Sequence, residues 1–288
     1  MQRNMTTSPL GPLQVITSGA FAAALKDLVP IYEMQYQVQV DLAFGSSIGA
    51  AHDSIPTRLS QGQKFDVFIL AGSALDNFIT AGHIKDNTRV DLVSSQIAAA
   101  VREGDPEPDI STLAALKHTL LTVGRVAYSA SASGTYLSTE LFPQLGIADE
   151  MAIKAKKIFS ERVGTILLRN EADLGFQQMS ELLPIPGIKI LGDLPPEAQR
   201  SFFFSAGIGS DTQKEDQARH LVEFLSSPEV ADHIEKTGLK PVLAKAPWLI
   251  NAWHKKSSRG QSLHVTLRLH PLALLLDSNM VSIAYVLT

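Results

Sequence analysis

The sequence contains no cysteine. Disulfides, thiolate metal ligands and cysteine nucleophiles are therefore excluded together. It also lacks any uninterrupted apolar run of about eighteen residues, the length a spanning helix needs. There is no excess of basic charge: 25 Lys and Arg stand against 29 Asp and Glu, a net charge of −4. A chain with that balance offers no electrostatic case for nucleic acid. No G-x-x-x-x-G-K-[ST] loop, no G-x-S-x-G elbow and no G-x-G-x-x-G after the first strand occur, which argues against nucleotide hydrolysis, serine hydrolase chemistry and a dinucleotide site. The eight histidines form no His-x-x-x-His pair on one helix, so no metal is expected, and nothing in the chain calls for a cofactor. About a dozen residues precede the first strand, with no helix-turn-helix pattern among them.

What is present is the composition of a folded globular chain. The 288 residues are 45% hydrophobic and 19% charged, enough for two domains or one large α/β domain. Met1 to Pro12 shows no charged-then-apolar export signal, and Met1-Gln-Arg-Asn-Met5 holds a second methionine. Two locations are consistent with this start: the cytoplasm, or the periplasm if a signal peptide has been removed. The last stretch, 245–288, has five basic residues against one acidic and contains both tryptophans, Trp248 and Trp253. It shows no coherent element pattern after about Ala252 and is expected to be a poorly ordered tail.

Between these ends one grammar recurs: a strand, a small hydroxyl-rich turn, a helix. Leu13 to Thr17, Val38 to Phe44 and Phe65 to Leu70 read as strands, the last apolar enough for a buried parallel position. Helical spacing follows at Phe21 to Tyr32 and Ala74 to Ala81. A second unit begins near Gly104-Asp-Pro-Glu-Pro. In it, Leu113 to Leu120 is helical, Arg125 to Tyr128 a strand, and a helix starts near Tyr136. Glu161 to Arg169 reads as helix, while Leu174 to Gln178, Ile188 to Leu191 and Phe202 to Phe204 read as strands. Two helices, Lys214 to Leu225 and Pro228 to Thr237, complete the pattern.

In α/β sheets of this kind ligands bind beyond the carboxyl ends of strands, where helix N-termini present free N–H groups. Four such turns carry small hydroxyl residues: Thr17-Ser18-Gly19, Gly45-Ser46-Ser47, Gly72-Ser73 and Ser131-Ala-Ser133-Gly134. Serine is a common N-cap, so one such turn says little. Four of them suggest a cleft that holds an anion by neutral donors instead of lysines. Arg58 and Arg102 are the arginines considered as carboxylate partners, each more simply explained as a solvated surface residue.

Residues 13 to 244 resemble the periplasmic molybdate-binding proteins and, more widely, the type II solute-binding proteins of ABC transporters. The resemblance rests on Ile16-Thr-Ser-Gly-Ala-Phe21, Ala43-Phe-Gly-Ser-Ser47, Gln61-Gly-Gln-Lys-Phe-Asp-Val-Phe-Ile-Leu-Ala71 and Arg169-Asn-Glu-Ala-Asp-Leu-Gly-Phe176. It implies a two-lobed α/β fold, with residues 13–95 and 205–244 in one lobe, 96–204 in the other, and crossovers near Ser95 to Val101 and Ser201 to Ala206 as the hinge. It implies an oxyanion held by Ser18, by Ser46 or Ser47, and by backbone groups near Ser133-Gly134 and Val163. It also implies a monomer that hands its ligand to an ABC transporter permease. One departure matters. Where the molybdate binders carry a tyrosine three residues after a glycine, this chain has Gln178 after Gly175. With its acceptor oxygen, a glutamine suits an organic acid better than a fully deprotonated oxyanion.

A branch of the same family resembles aconitate isomerases, which move a double bond in a tricarboxylate without a cofactor. That chemistry needs a group to take an allylic proton and return it. The candidates are His52, Tyr136 and Glu181. Reversible capture of a small carboxylate or oxyanion is the first functional expectation, and isomerisation of a polycarboxylate in the same cleft is the second.

Overall fold

A computed structural model describes residues 11–242. The expected tail at 245–288 and its two tryptophans lie outside the described residues.

The first third builds three parallel strands joined by helices. β1 (Leu13–Thr17) leads into α1 (Gly19–Tyr36), β2 (Val40–Phe44) into α2 (Ile55–Ser60), and β3 (Val67–Ala71) into α3 (Gly72–Thr80). β1 pairs in parallel with both β2 and β3. All five residues of β3 are buried, as its continuous apolar sequence requires of a strand covered on both faces. Ile16, Ile55, Phe68, Leu70 and Leu75 pack together beside it.

The next strand is the spine of the molecule. β4 (Val90–Arg102) runs for 13 residues. Its first half pairs antiparallel with β9 (Ser201–Ile208), and its second half with β7 (Leu174–Gln178) and β8 (Ile188–Asp193). Between these come α4 (Leu113–Thr122), β5 (Val126–Ser129), α5 (Ala132–Tyr136), α6 (Phe142–Gln144), α7 (Ala148–Lys154), β6 (Ala155–Ile158), α8 (Val163–Leu168) and α9 (Met179–Leu182). After β9, α10 (Glu215–Leu225), α11 (Ala231–Glu235) and β10 (Lys240–Pro241) close the described chain. The sheet order is β2-β1-β3-β9-β4-β7-β5-β6, with β8 and β10 also paired to β4.

The period-2 geometry of β4 separates two cores. Ile97, Ala99 and Val101 face a cluster with Leu116, Tyr128, Phe142 and Phe176. Ala98 and Ala100 face another with Val163, Ile166, Leu167 and Leu182. The two segments expected as crossovers are thus strand, and they lie side by side, with Gln96 opposite Ser201. β4 escapes sequence reading because Ser94-Ser95-Gln96 interrupts its apolar pattern. The short β6, Ala-Lys-Lys-Ile, escapes for the same reason. The helix expected near Tyr136 begins earlier, at Ala132, and the one expected at Glu161–Arg169 starts at Val163. Among the described residues no helix is long and apolar enough to cross a membrane.

Candidate functional site

The carboxyl ends of β1, β2, β3, β5 and β6 surround one cleft of about 360 Å³. Each strand there gives way to a turn whose backbone is free of sheet pairing, so small side chains and N–H groups converge on the space. Ser18, Gly19, Ser46, Ser47 and Ser131 all line it, as does Glu181. Six of the residues singled out from sequence are therefore brought together.

Their hydroxyls are not equivalent. The Ser18 hydroxyl is buried and has no hydrogen-bond partner. An orphaned buried hydroxyl facing a cleft is a donor waiting for a ligand oxygen. The Ser47 hydroxyl accepts the Ala71 N–H at 3.1 Å, which leaves its own hydrogen to donate. Ser46 spends its hydrogen on the Ile48 carbonyl at 2.8 Å. Ser129, Ser131 and Ser133 form a triangle of hydroxyls at 2.7, 3.0 and 3.3 Å. Ser129 and Ser131 border the cleft, and Ser133 supports them from a fully buried position. Gly134 plays a packing part: a Cβ built there would stand 1.6 Å from the Ser129 carbonyl oxygen.

Several expected residues lie elsewhere. Ser73 is exposed on α3, and His52 is exposed beyond the cleft rim. Tyr136 turns away from the cleft and donates to the Ala198 carbonyl at 3.0 Å. Gln178 is buried with both amide atoms unpartnered, and it is Gln177, on the other face of β7, that borders the cleft. The Val163 N–H donates to Gln177 Oε1 at 2.8 Å, so it is occupied within the protein. Arg58 donates to the Asp53 carbonyl and to Gln63, and Arg102 pairs with Asp105 at 2.7 Å. Neither reaches the cleft.

The expectation of purely neutral donors needs correction, because two cations border the cleft. Lys26 stands on α1 with its ammonium 4.7 Å from the centre of the Phe44 ring. Arg162, the residue before α8, is half-buried, and its side chain makes no hydrogen bond or ion pair with the described residues. Its neighbour Glu161 is held by Arg169 at 2.7 and 2.8 Å, so it does not neutralise Arg162. Sequence reading missed Arg162 although it adjoins Val163, because the resemblance implied a backbone group at that place and not a side chain. Lys26 sat in plain view at the second turn of α1.

Glu181 is the chemically distinctive group. It is 8% exposed, and burial pushes its carboxyl up to about 7, against the lowering pull of Arg162 and of the Gln177 amide. Gln177 Nε2 donates to its Oε2 at 2.8 Å. A carboxyl poised near neutrality can both accept and return a proton.

Comparison with known proteins places the molecule. Residues 13–240 match the family model of the bacterial extracellular solute-binding proteins. The periplasmic molybdate-binding protein of Azotobacter vinelandii superposes with a TM-score of 0.64 at 20% identity, covering 81% of this chain and all of that one. The fold is thus the two-lobed type II periplasmic-binding architecture. The chain belongs to the bacterial extracellular solute-binding protein family. Within it, the chain is 42% identical over 241 residues to an aconitate isomerase from Pseudomonas sp, covering 84% of this chain and 92% of that protein. The molybdate-binding protein ModA of Escherichia coli is 21% identical over 234 residues, covering 79% and 88%.

Proposed function

We propose that the cleft captures a polycarboxylate of the aconitate kind and moves its double bond by allylic proton transfer through Glu181. The observation that carries this reading is the buried carboxyl itself: Glu181 borders the anion cleft with its proton affinity raised to about 7. An ionised carboxylate would repel a bound anion, whereas a carboxyl that is partly protonated near neutrality can exchange a proton with it. The relative named as an aconitate isomerase, at 42% identity, supports the same conclusion.

The chemistry balances without a cofactor. Glu181 takes a proton from the methylene carbon, which is both allylic and next to a carboxylate. The electron pair left behind spreads over the allyl unit and its carboxylates. The protonated Glu181 returns the proton to the other end of that unit, and the double bond has moved by one carbon. Whether the new double bond is cis or trans depends on how the carboxylate of the former methylene is held. Among the described residues, Arg162 and Lys26 are the cations available to hold carboxylates, and Ser18 and Ser47 supply neutral donors. Donors fixed in advance stabilise the developing charge without reorganising.

Closure would bring residues 13–95 with 205–244 against 96–204, excluding water and strengthening each contact. The periplasm is the compartment that fits the family, and a monomer suffices, because every group named comes from one chain. Incubation with trans-aconitate at neutral pH, followed by chromatography, tests the reading. Formation of cis-aconitate supports it. Recovery of unchanged trans-aconitate that nonetheless raises the melting temperature leaves a capture protein serving a transporter permease. Neither turnover nor binding overturns both.

A further inference from the structure

The two ends of the Gln177 side chain are both committed. Gln177 is 3% exposed. Its Oε1 accepts the backbone N–H of Val163 at 2.8 Å. A backbone N–H can only donate, so this bond fixes which end of the amide faces which neighbour. The Nε2 end is thereby aimed at Glu181, where it donates to Oε2 at 2.8 Å. The same Oε2 is pressed against Gly19: a Cβ built on Gly19 would lie 2.2 Å from Oε2 but 3.6 Å from Oε1. Oε1 of Glu181 accepts no hydrogen bond from the described residues, and it is not among the fully buried orphans.

We propose that Gln177 is a positioning residue of the isomerisation site: locked by the Val163 N–H, it holds Oε2 of Glu181 and leaves Oε1 as the oxygen that takes and returns the substrate proton. The proposal rests on the isomerase reading and assigns the reacting atom within it. An unlocked glutamine could rotate its amide and present Oε1 to Glu181, which would repel the carboxylate and favour a proton between the two. The lock removes that alternative. It also explains why the N–H at the start of α8 is used inside the protein. The cation acting on Glu181 is Arg162, just before α8; the Gln177 amide from β7 adds to its effect, and burial opposes both. Lys26, from α1, is the other cation bordering the cleft.

The test uses the full chain with carbon-13-labelled glutamate and follows the Glu181 carboxyl by NMR across pH, without ligand. Gln177→Leu removes both bonds, whereas Gln177→Glu keeps an acceptor for Val163 and replaces the donor with a second ionisable carboxyl. The expected result is a Glu181 midpoint higher by about one pH unit in Gln177→Leu. It is expected to rise in Gln177→Glu as well, through loss of the donor and repulsion by the second carboxyl. The pH profile for trans-aconitate conversion should move the same way, with kcat down on the order of tenfold and KM little changed. If Gln177→Leu does not fold, Gln177→Glu gives the same readout with the Val163 bond preserved. An unmoved midpoint and unmoved profile, with turnover retained, overturn the proposal and leave the isomerase reading intact. Absence of turnover in the unaltered chain overturns the isomerase reading, and with it the proton-transfer role of Oε1.

Discussion

Glu181 and Gly19 share one small volume: Oε2 of the carboxylate lies where a side chain on Gly19 would have to begin, 2.2 Å from an ideal Cβ. Gly19 opens α1, and the carboxyl is thereby seated at the N-terminal end of that helix. The absence of a methyl group is what lets a strand-end loop and α9 meet.

A substitution at Gly19 reads out this relationship. Alanine at a helical glycine normally stabilises by about 0.4–1 kcal/mol where the backbone tolerates it. Here Gly19→Ala is expected to destabilise, because the Glu181 carboxyl must shift. In a Glu181→Ala background the same change is expected to be neutral or stabilising. Urea unfolding of the four chains measures the coupling, and additive effects would show that the two residues do not interact.

The raised proton affinity of Glu181 makes stability depend on pH. The folded midpoint of about 7 lies above the ordinary value of 4.5. Below the ordinary value both folded and unfolded chains are protonated at this site, and the cost of burying the charge is absent. As pH rises towards 7 the unfolded chain loses its proton first, so stability falls through that window and levels off above it. The whole change is about 3 kcal/mol. Glu181→Gln keeps an acceptor for Gln177 and cannot ionise, so it is expected to flatten this part of the profile. Melting temperatures from pH 4 to 9 check it; parallel profiles for both chains would refute the assignment.

Two serines are expected to differ. Ser18 has no partner in the free protein, so Ser18→Ala should leave stability unchanged or slightly higher while weakening ligand binding by about 1–3 kcal/mol. Ser47 also holds the Ala71 N–H, so Ser47→Ala should lower both. Calorimetry with denaturation curves separates the two patterns. Unaltered affinity in both variants would remove them from the site.

Among the arginines of the described residues, Arg162 alone borders the cleft. Arg162→Gln is expected to raise the KM for a tricarboxylate on the order of tenfold, as loss of a charge-assisted contact would. Arg58→Gln and Arg102→Gln should leave KM unchanged. Equal effects at all three positions would point to general charge and not to a contact.

The repeated strand, turn and helix were legible because β1, β3 and their helices obey simple periodicities. The serine turns were legible for the same reason: they follow strands that announce themselves. Arg162 and Gln177 were hidden by different causes. Arg162 adjoins Val163, where the resemblance implied only a backbone group, so its side chain drew no notice. Gln177 sits beside Gln178 in β7, and only the strand's facing decides which one meets the cleft. The family pattern pointed to Gln178, one residue off. Glu181 could be named as a candidate from its proximity to that turn, but its raised proton affinity depends on burial against α1, a contact across about 160 positions in sequence that no local pattern encodes.

The central claim is proton transfer by Glu181, and its most direct test is proton NMR of trans-aconitate in D₂O with the unaltered chain and with Glu181→Gln. The account predicts that the unaltered chain interconverts the trans and cis isomers, and that Glu181→Gln binds the ligand but does not interconvert them. Interconversion at an undiminished rate in Glu181→Gln would contradict it.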